Sequence, residues 1–419
     1  MDTPATSEIM GAIGTVGLTA HAPWGTAVDL TMVALVAIVA LALLFDFTNG
    51  FHDAANSVST VVATRALPAK AAVWFSAFFN FAAVFVVGTA VANTVAKTVH
   101  ANVTGISVVF AALVAAVMWN YATWWVGMPS SSSHALIGGL VGAGLAAGGS
   151  DAINWSSVEK TVFAIVVSPL VAFGIAFLAM FLVAGGRKVF GLEDNAKPFK
   201  WLQLVSAAAV SFGHGANDAQ KTMGVIAALL VGTGHLATGP GGNIDVPLWV
   251  ELAAYSSIAL GTVWGGWKII ETMGLKITTL HASSGVAANI GAVTSIFGAT
   301  GLGVPISTTH AAASSVAGAG VGSGMGINLR VIGEMVLAWV VTLPTTVVIS
   351  YALFSLTQLP GAFAWIAVTL VIAVAGALIG YAMTHAVTAE DIEAEIPSEN
   401  VLQIPVSVHP HLEGHGPAA

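Results

Sequence analysis

Long apolar stretches broken by short polar clusters set the pattern of this chain. The runs cover residues 28–45, 69–96, 106–126 and 158–184 in the first half. In the second they cover 202–210, 225–231, 248–270, 277–297, 331–356 and 362–383. A membrane span takes about 20 residues, so this length leaves room for about ten to twelve transmembrane or re-entrant helices. Four shorter pieces, 53–67, 131–145, 217–231 and 307–319, each follow a polar cluster. They are short for a full span, which predicts half-helices or re-entrant segments and hence broken helices.

The polar clusters come in pairs. Gly50-Phe51-His52-Asp53-Ala54-Ala55-Asn56-Ser57 returns as Gly215-Ala216-Asn217-Asp218-Ala219-Gln220-Lys221-Thr222. Gly127-Met128-Pro129-Ser130-Ser131-Ser132-Ser133-His134 returns as Gly303-Val304-Pro305-Ile306-Ser307-Thr308-Thr309-His310. The duplication divides the chain into an N-terminal segment (1–27), a first repeat (28–186), a linker (187–200), a second repeat (201–388) and a tail (389–419). The linker carries Arg187, Lys188, Lys197 and Lys200, and the excess of positive charge in cytoplasmic loops places it on that side. The tail holds Glu390, Asp391, Glu393, Glu395, Glu399 and Glu413 with no Lys or Arg, and reads as disordered and solvated.

Composition removes most other classes. Charged residues make up 8% and hydrophobic residues 56%, with a mean hydropathy of +0.88. A soluble domain has about 25% charged residues, so the fold class is an all-α polytopic integral membrane protein. The 46 glycines suit close helix packing in lipid. The absence of cysteine excludes disulfides and thiolate metal sites, and no basic patch suggests nucleic acid. The first 28 residues lack Lys and Arg, so the first apolar run is expected to be a retained span rather than a cleaved signal.

The duplicated clusters carry the candidate chemistry. On a continuous helix, Asp46, Asn49 and Asp53 share one face, with His52 and Asn56 beside it. An unpaired acid at mid-bilayer costs about 2.5–3.5 kcal/mol, which argues for a partner or a function; the alternative is a loop between two spans. In the second copy His214, Asn217 and Asp218 recur, and Lys221 stands where the first has Asn56. Lys221 can neutralise Asp218 or Asp53, or offer positive charge to an anion. The runs Ser131-Ser132-Ser133 and Ser307-Thr308-Thr309 follow Pro129 and Pro305, as expected where helices begin. Free N–H groups at two such starts, with hydroxyls beside them, make anion sites. His134 and His310 close these runs and are either titratable or buried and satisfied. Trp119, Asn120, Trp124 and Trp125 read as an interfacial belt and packing.

These motifs resemble the inorganic phosphate transporter (Pit) family over about residues 43–344, and the Gly-Phe-His-Asp octet with Lys221 looks like its bacterial low-affinity branch. The resemblance implies inverted repeats and a multi-pass protein of the bacterial inner membrane. It implies phosphate import by cation symport, with the proton as coupling ion, sodium as runner-up, and a divalent metal–phosphate complex as a form of the cargo. Carried over, Ser131, Ser132, Ser133, Ser307, Thr308, Thr309 and Lys221 bind phosphate. Asp53, Asn56, Asn217 and Asp218 hold coupling ion or substrate, and Asp53 and Asp218 are the metal candidates. His52, His214 and Asp46 are proton-coupling candidates. A fixed cation at Lys221 opposes sodium, whereas His52 and His214 titrate. No cofactor is implied, and a homodimer is allowed. The competing readings are a sulfate or other oxyanion symporter and, remotely, an intramembrane hydrolase using Ser133/His134 or Thr309/His310.

Overall fold

The computed structural model describes residues 19–21, 27–384 and 387–396; most of the N-terminal segment and the tail beyond 396 lie outside them. A small antiparallel pair, β1 (Thr19–His21) and β2 (Ala27–Asp29), precedes the helices. In chain order these are α1 (Leu30–His52), α2 (Ala55–Ala63), α3 (Ala69–Ala82), α4 (Ala90–Ala96), α5 (Ile106–Val126) and α6 (Ser132–Gly148). They continue with α7 (Trp155–Phe190), α8 (Lys197–Gly232), α9 (Leu248–Trp264), α10 (Trp267–Glu271) and α11 (Ala282–Gly301). The last are α12 (Thr308–Gly322), α13 (Leu329–Thr357), α14 (Ala362–Thr384) and α15 (Ala389–Glu395).

Among the described residues, five stretches are long and apolar enough to cross a membrane: Thr31–Ala63, Ile106–Val126, Trp155–Phe190, Leu329–Thr357 and Ala362–Tyr381. Helices α3 and α4 meet at 87° as a broken span or re-entrant loop. The outer surface is apolar, with Leu182, Phe163 and Leu337 exposed, while Asp46, His214 and Asp218 are fully enclosed. This inversion of a soluble protein's pattern fits a lipid surround.

The breaks fall elsewhere than expected. Residues 217–231 are not a separate half-helix: they run inside the 36-residue α8. The octet there lacks proline, and four of its residues, Ala216, Ala219, Gln220 and Lys221, are good helix formers. Lys221 also pairs with Asp218 one turn away, which favours the helix. In the first copy only a two-residue turn, Asp53–Ala54, separates α1 from α2, and Ala54 stays right-handed (φ −49°, ψ −36°). The hydroxyl runs do open the short separate helices α6 and α12.

The halves do not form separate cores. Helix α6 packs on α13, and α12 packs on α7, so each hydroxyl helix rests on the long helix of the other half. Likewise α1 packs on α9 and α8 on α3. The two largest apolar clusters draw residues from both halves. The expected linker shrinks to residues 191–196, since α7 runs to Phe190 and α8 starts at Lys197.

The start of the tail is helical and docked rather than solvated. Helix α15 buries Ala389 and Ile392. The Glu393 carboxylate accepts from the Ala69 N–H at 2.7 Å, and Arg65 donates to the carbonyls of Glu393 (2.6 Å) and Ile396. Lys70 pairs with Glu390 at 2.8 Å, which holds the ammonium above its usual range. The Thr388 hydroxyl, and then its N–H, hold the Asp391 carboxyl below its usual range.

Candidate functional site

The site forms where α1, α2 and α8 meet the starts of α6 and α12. Ser131 and Ser307 are the N-cap residues, and their hydroxyls accept from the N–H groups of His134 and His310, each at 3.2 Å. Pro129 and Pro305 therefore lie two positions before the caps, not in the first turns. N–H groups of a first turn have no partner within the helix. The two starts abut: the Ser133 hydroxyl donates to the Ile306 carbonyl at 2.8 Å, and the His134 and His310 ring centroids are 4.6 Å apart.

The octets reach both hydroxyl runs. Ser132 donates to Asp53 Oδ1 at 3.3 Å, and Thr308 donates to Asp218 Oδ2 at 3.2 Å. Asn56 Nδ2 donates to Thr308 (3.2 Å) and Thr309 (3.1 Å). Lys221 Nζ donates to Asp218 Oδ1 at 2.6 Å and to Ser133 Oγ at 2.5 Å. Lys221 thus pairs with Asp218 while its ammonium also reaches the first hydroxyl run. Asp218 Oδ2 also accepts from Asn49 Nδ2 at 3.4 Å, with His214 Nε2 at 3.6 Å. His52 Nδ1 lies 2.6 Å from Asp53 Oδ1. Ligand atoms of Asp53, His214 and Asp218 all lie within 4.8 Å of one another, so His214 joins the two carboxylates as a third candidate metal ligand.

Two named residues sit apart from this cluster. Asn217 points toward the approach to α12, donating to Thr300 Oγ1 (3.0 Å) and the Val304 carbonyl (3.4 Å) and accepting from the Ile306 N–H at 3.4 Å. It braces the second hydroxyl run. Asp46 is fully buried on α1, with Thr222 and Asn49 at its carboxyl.

Supporting residues outside the motifs orient the histidines. Thr123 Oγ1 is 3.1 Å from His52 Nε2 and 2.8 Å from Ser130 Oγ, and Asn80 Oδ1 is 3.1 Å from His214 Nδ1. A single polar side chain inside an apolar run was the available signal for both. In the aromatic stretch Asn120 and Trp124 are buried while Trp125 is exposed. Among the described contacts no hydrogen bond joins Ser133 to His134 or Thr309 to His310. The His310 ring instead stacks on Trp339 at 4.0 Å.

Comparison with known proteins agrees with this arrangement. The profile of the phosphate transporter family matches residues 49–188 and 185–350. A protein of Rhizobium meliloti (strain 1021), named a "probable low-affinity inorganic phosphate transporter", is 46% identical over 321 residues, 75% of this chain and 94% of its own. One of the same name from Bacillus subtilis (strain 168) is 41% identical over 320 residues, 75% of this chain and 95% of its own. A solved structure titled "The sodium-dependent phosphate transporter" superposes with a TM-score of 0.69 at 26% identity, covering 79% of this chain and all of that one. These relatives are transporters, not enzymes. On the strength of the two matched segments and the 46% identity, this chain belongs to the phosphate transporter family.

Proposed function

We propose that this protein imports inorganic phosphate by proton symport, binding it between the starts of α6 and α12. The observation that carries the reading is that each octet carboxylate is bonded to a hydroxyl run, Asp53 to Ser132 and Asp218 to Thr308. An anion held by Ser132, Ser133, Thr308, Thr309 and Lys221 thus touches both octet carboxylates. Charge supports proton coupling. Asp53, Asp218 and Lys221 together leave one negative charge, and a doubly charged phosphate adds to it in a site cut off from water. Such an excess is costly unless neutralised, and a proton carried with the anion neutralises it. A divalent metal held by Asp53, His214 and Asp218 does so equally, which supports a metal–phosphate complex as cargo.

The carboxylates also favour phosphate over sulfate. Phosphate keeps a P–OH at neutral pH and can donate it to Asp53 or Asp218, whereas sulfate offers only acceptors. The matching caps at Ser131 and Ser307, with the reciprocal packing of α6 on α13 and α12 on α7, support two related, inverted repeats that rearrange around the site.

The test is uptake of labelled phosphate by proteoliposomes under an imposed proton or sodium gradient. Accumulation driven by the proton gradient, abolished by an uncoupler and resistant to excess sulfate, is the expected result. Accumulation driven by sodium alone would overturn the coupling, and equal competition by sulfate the selectivity.

A further inference from the structure

Asp46 stands out because it is fully buried and no ion pair among the described contacts includes it: the side chains at its carboxyl are the neutral Thr222 and Asn49. It lies two turns before Asp53 on α1, on the face turned toward α8 and α9. Around it are further buried oxygens: the Thr222 hydroxyl on α8, which reaches the Asp46 carboxyl, and the Tyr255 hydroxyl on α9 and Asn49 Oδ1 on α1, which have no hydrogen-bond partner. Thr222 and Asn49 adjoin the carboxyl, and Tyr255 is within electrostatic reach of it. Lys221 and Asp218 are the charged groups that act on Asp46 from α8. From α9 the titratable groups are Tyr255 and, in the first turn, Glu251, which acts on Tyr255. Helix α5, also packed on α1, carries no charged side chain.

An ionised carboxylate buried without a partner is strongly disfavoured, whereas a protonated one is neutral and both donates and accepts. The Thr222 hydroxyl can serve either form, donating to the ionised carboxylate or accepting from the acid, and the Tyr255 hydroxyl adds a neutral dipole nearby. Lys221 links this pocket to the anion site, since its ammonium already contacts Ser133 and Asp218. An anion arriving at Ser133 engages that positive charge and leaves less of it to balance an ionised Asp46.

We propose that Asp46, with Thr222 and Tyr255, is a proton-binding site separate from the anion site, loaded as phosphate reaches Lys221. The inference rests on the proton-coupled reading above and narrows it: the proton that follows the gradient is carried at Asp46, and the paired carboxylates Asp53 and Asp218 serve the cargo. By reciprocity, proton and phosphate each tighten the binding of the other.

The experiment compares wild type, Asp46→Asn and Asp46→Glu in proteoliposomes, reading two quantities for each. One is phosphate accumulation under a proton gradient, and the other is phosphate–phosphate exchange at equal pH. For Asp46→Asn the ratio of accumulation to exchange should fall about tenfold or more, within the range for coupled sites, and exchange should lose its pH dependence. Asp46→Glu should restore both. A ratio like that of wild type in Asp46→Asn overturns the proposal, as does failure of that variant to fold, since the amide mimics the protonated acid. Wild-type protein that ignores the proton gradient would overturn the coupling reading itself, a result distinct from either.

Discussion

Lys221 Nζ lies 2.5 Å from the Ser133 hydroxyl and 2.6 Å from Asp218 Oδ1, joining the second octet to the first hydroxyl run. The pair is enclosed, so removing one partner leaves the other charge uncompensated. Lys221→Met should abolish phosphate uptake and destabilise the protein by about 3–5 kcal/mol, the usual cost of breaking a buried pair. Adding Asp218→Asn should recover the unfolding temperature in detergent but not the uptake. Recovery of uptake by the double variant would mean that Lys221 serves only to cancel charge.

The two octet aspartates should differ in stability while agreeing in transport. Asp53→Asn keeps a hydrogen-bonding group beside His52 and Ser132, whereas Asp218→Asn strands Lys221. Both variants should lose gradient-driven accumulation. Only Asp218→Asn should melt at clearly lower temperature. Normal accumulation by either would remove that residue from the transport site.

Helix crossings at the octets depend on absent side chains. A Cβ at Gly50 would lie 2.2 Å from the Ile258 carbonyl oxygen, and one at Gly215 would lie 2.3 Å from that of Asn80. Gly50→Ala and Gly215→Ala should each cost about 1–3 kcal/mol through overpacking. Gly174→Ala, which meets nothing within 4 Å, should be neutral or mildly stabilising, as alanine is the better helix former. Thermal unfolding of the three variants side by side checks the ordering.

Docking of the tail helix should depend on pH from both sides. The Asp391 carboxyl is held low by Thr388, so its contribution is present at neutral pH and disappears as pH falls through the carboxylate range. The Lys70 ammonium is held high by Glu390, so that contribution is lost as pH rises through the lysine range. Hydrogen exchange across residues 387–396 should be slowest near neutrality and faster at both extremes. Arg65→Ala should accelerate it at every pH.

Most of the site was legible because its polar residues stand out against lipid-facing runs and occur twice. Asp53, Asp218, Ser132, Ser133, Thr308, Thr309 and Lys221 gather as the duplication implied. Asn217 does not, because repetition fixes which residues correspond but not the direction each side chain takes. The helix breaks were misplaced for a related reason. Glycine and polar clusters permit an interruption, but the Lys221–Asp218 pair and the absence of proline let α8 run straight through. Asn80 and Thr123 escaped notice because each lies alone in apolar sequence, and only tertiary contact shows that they face His214 and His52. The helical start of the tail depends on contacts with Arg65, Ala69 and Lys70, more than 300 positions away in sequence, beyond the reach of local pattern.

The exchange of supports between α6 and α13, and between α12 and α7, bears on how the protein is made. When the N-terminal half emerges from the ribosome, the faces of α6 and α7 that α13 and α12 will cover have nothing to rest against. Those surfaces stay exposed, and prone to wrong pairing, until synthesis has passed residue 329. Biogenesis therefore cannot proceed as two independent insertions, and a truncated product should be handled as an incomplete fold.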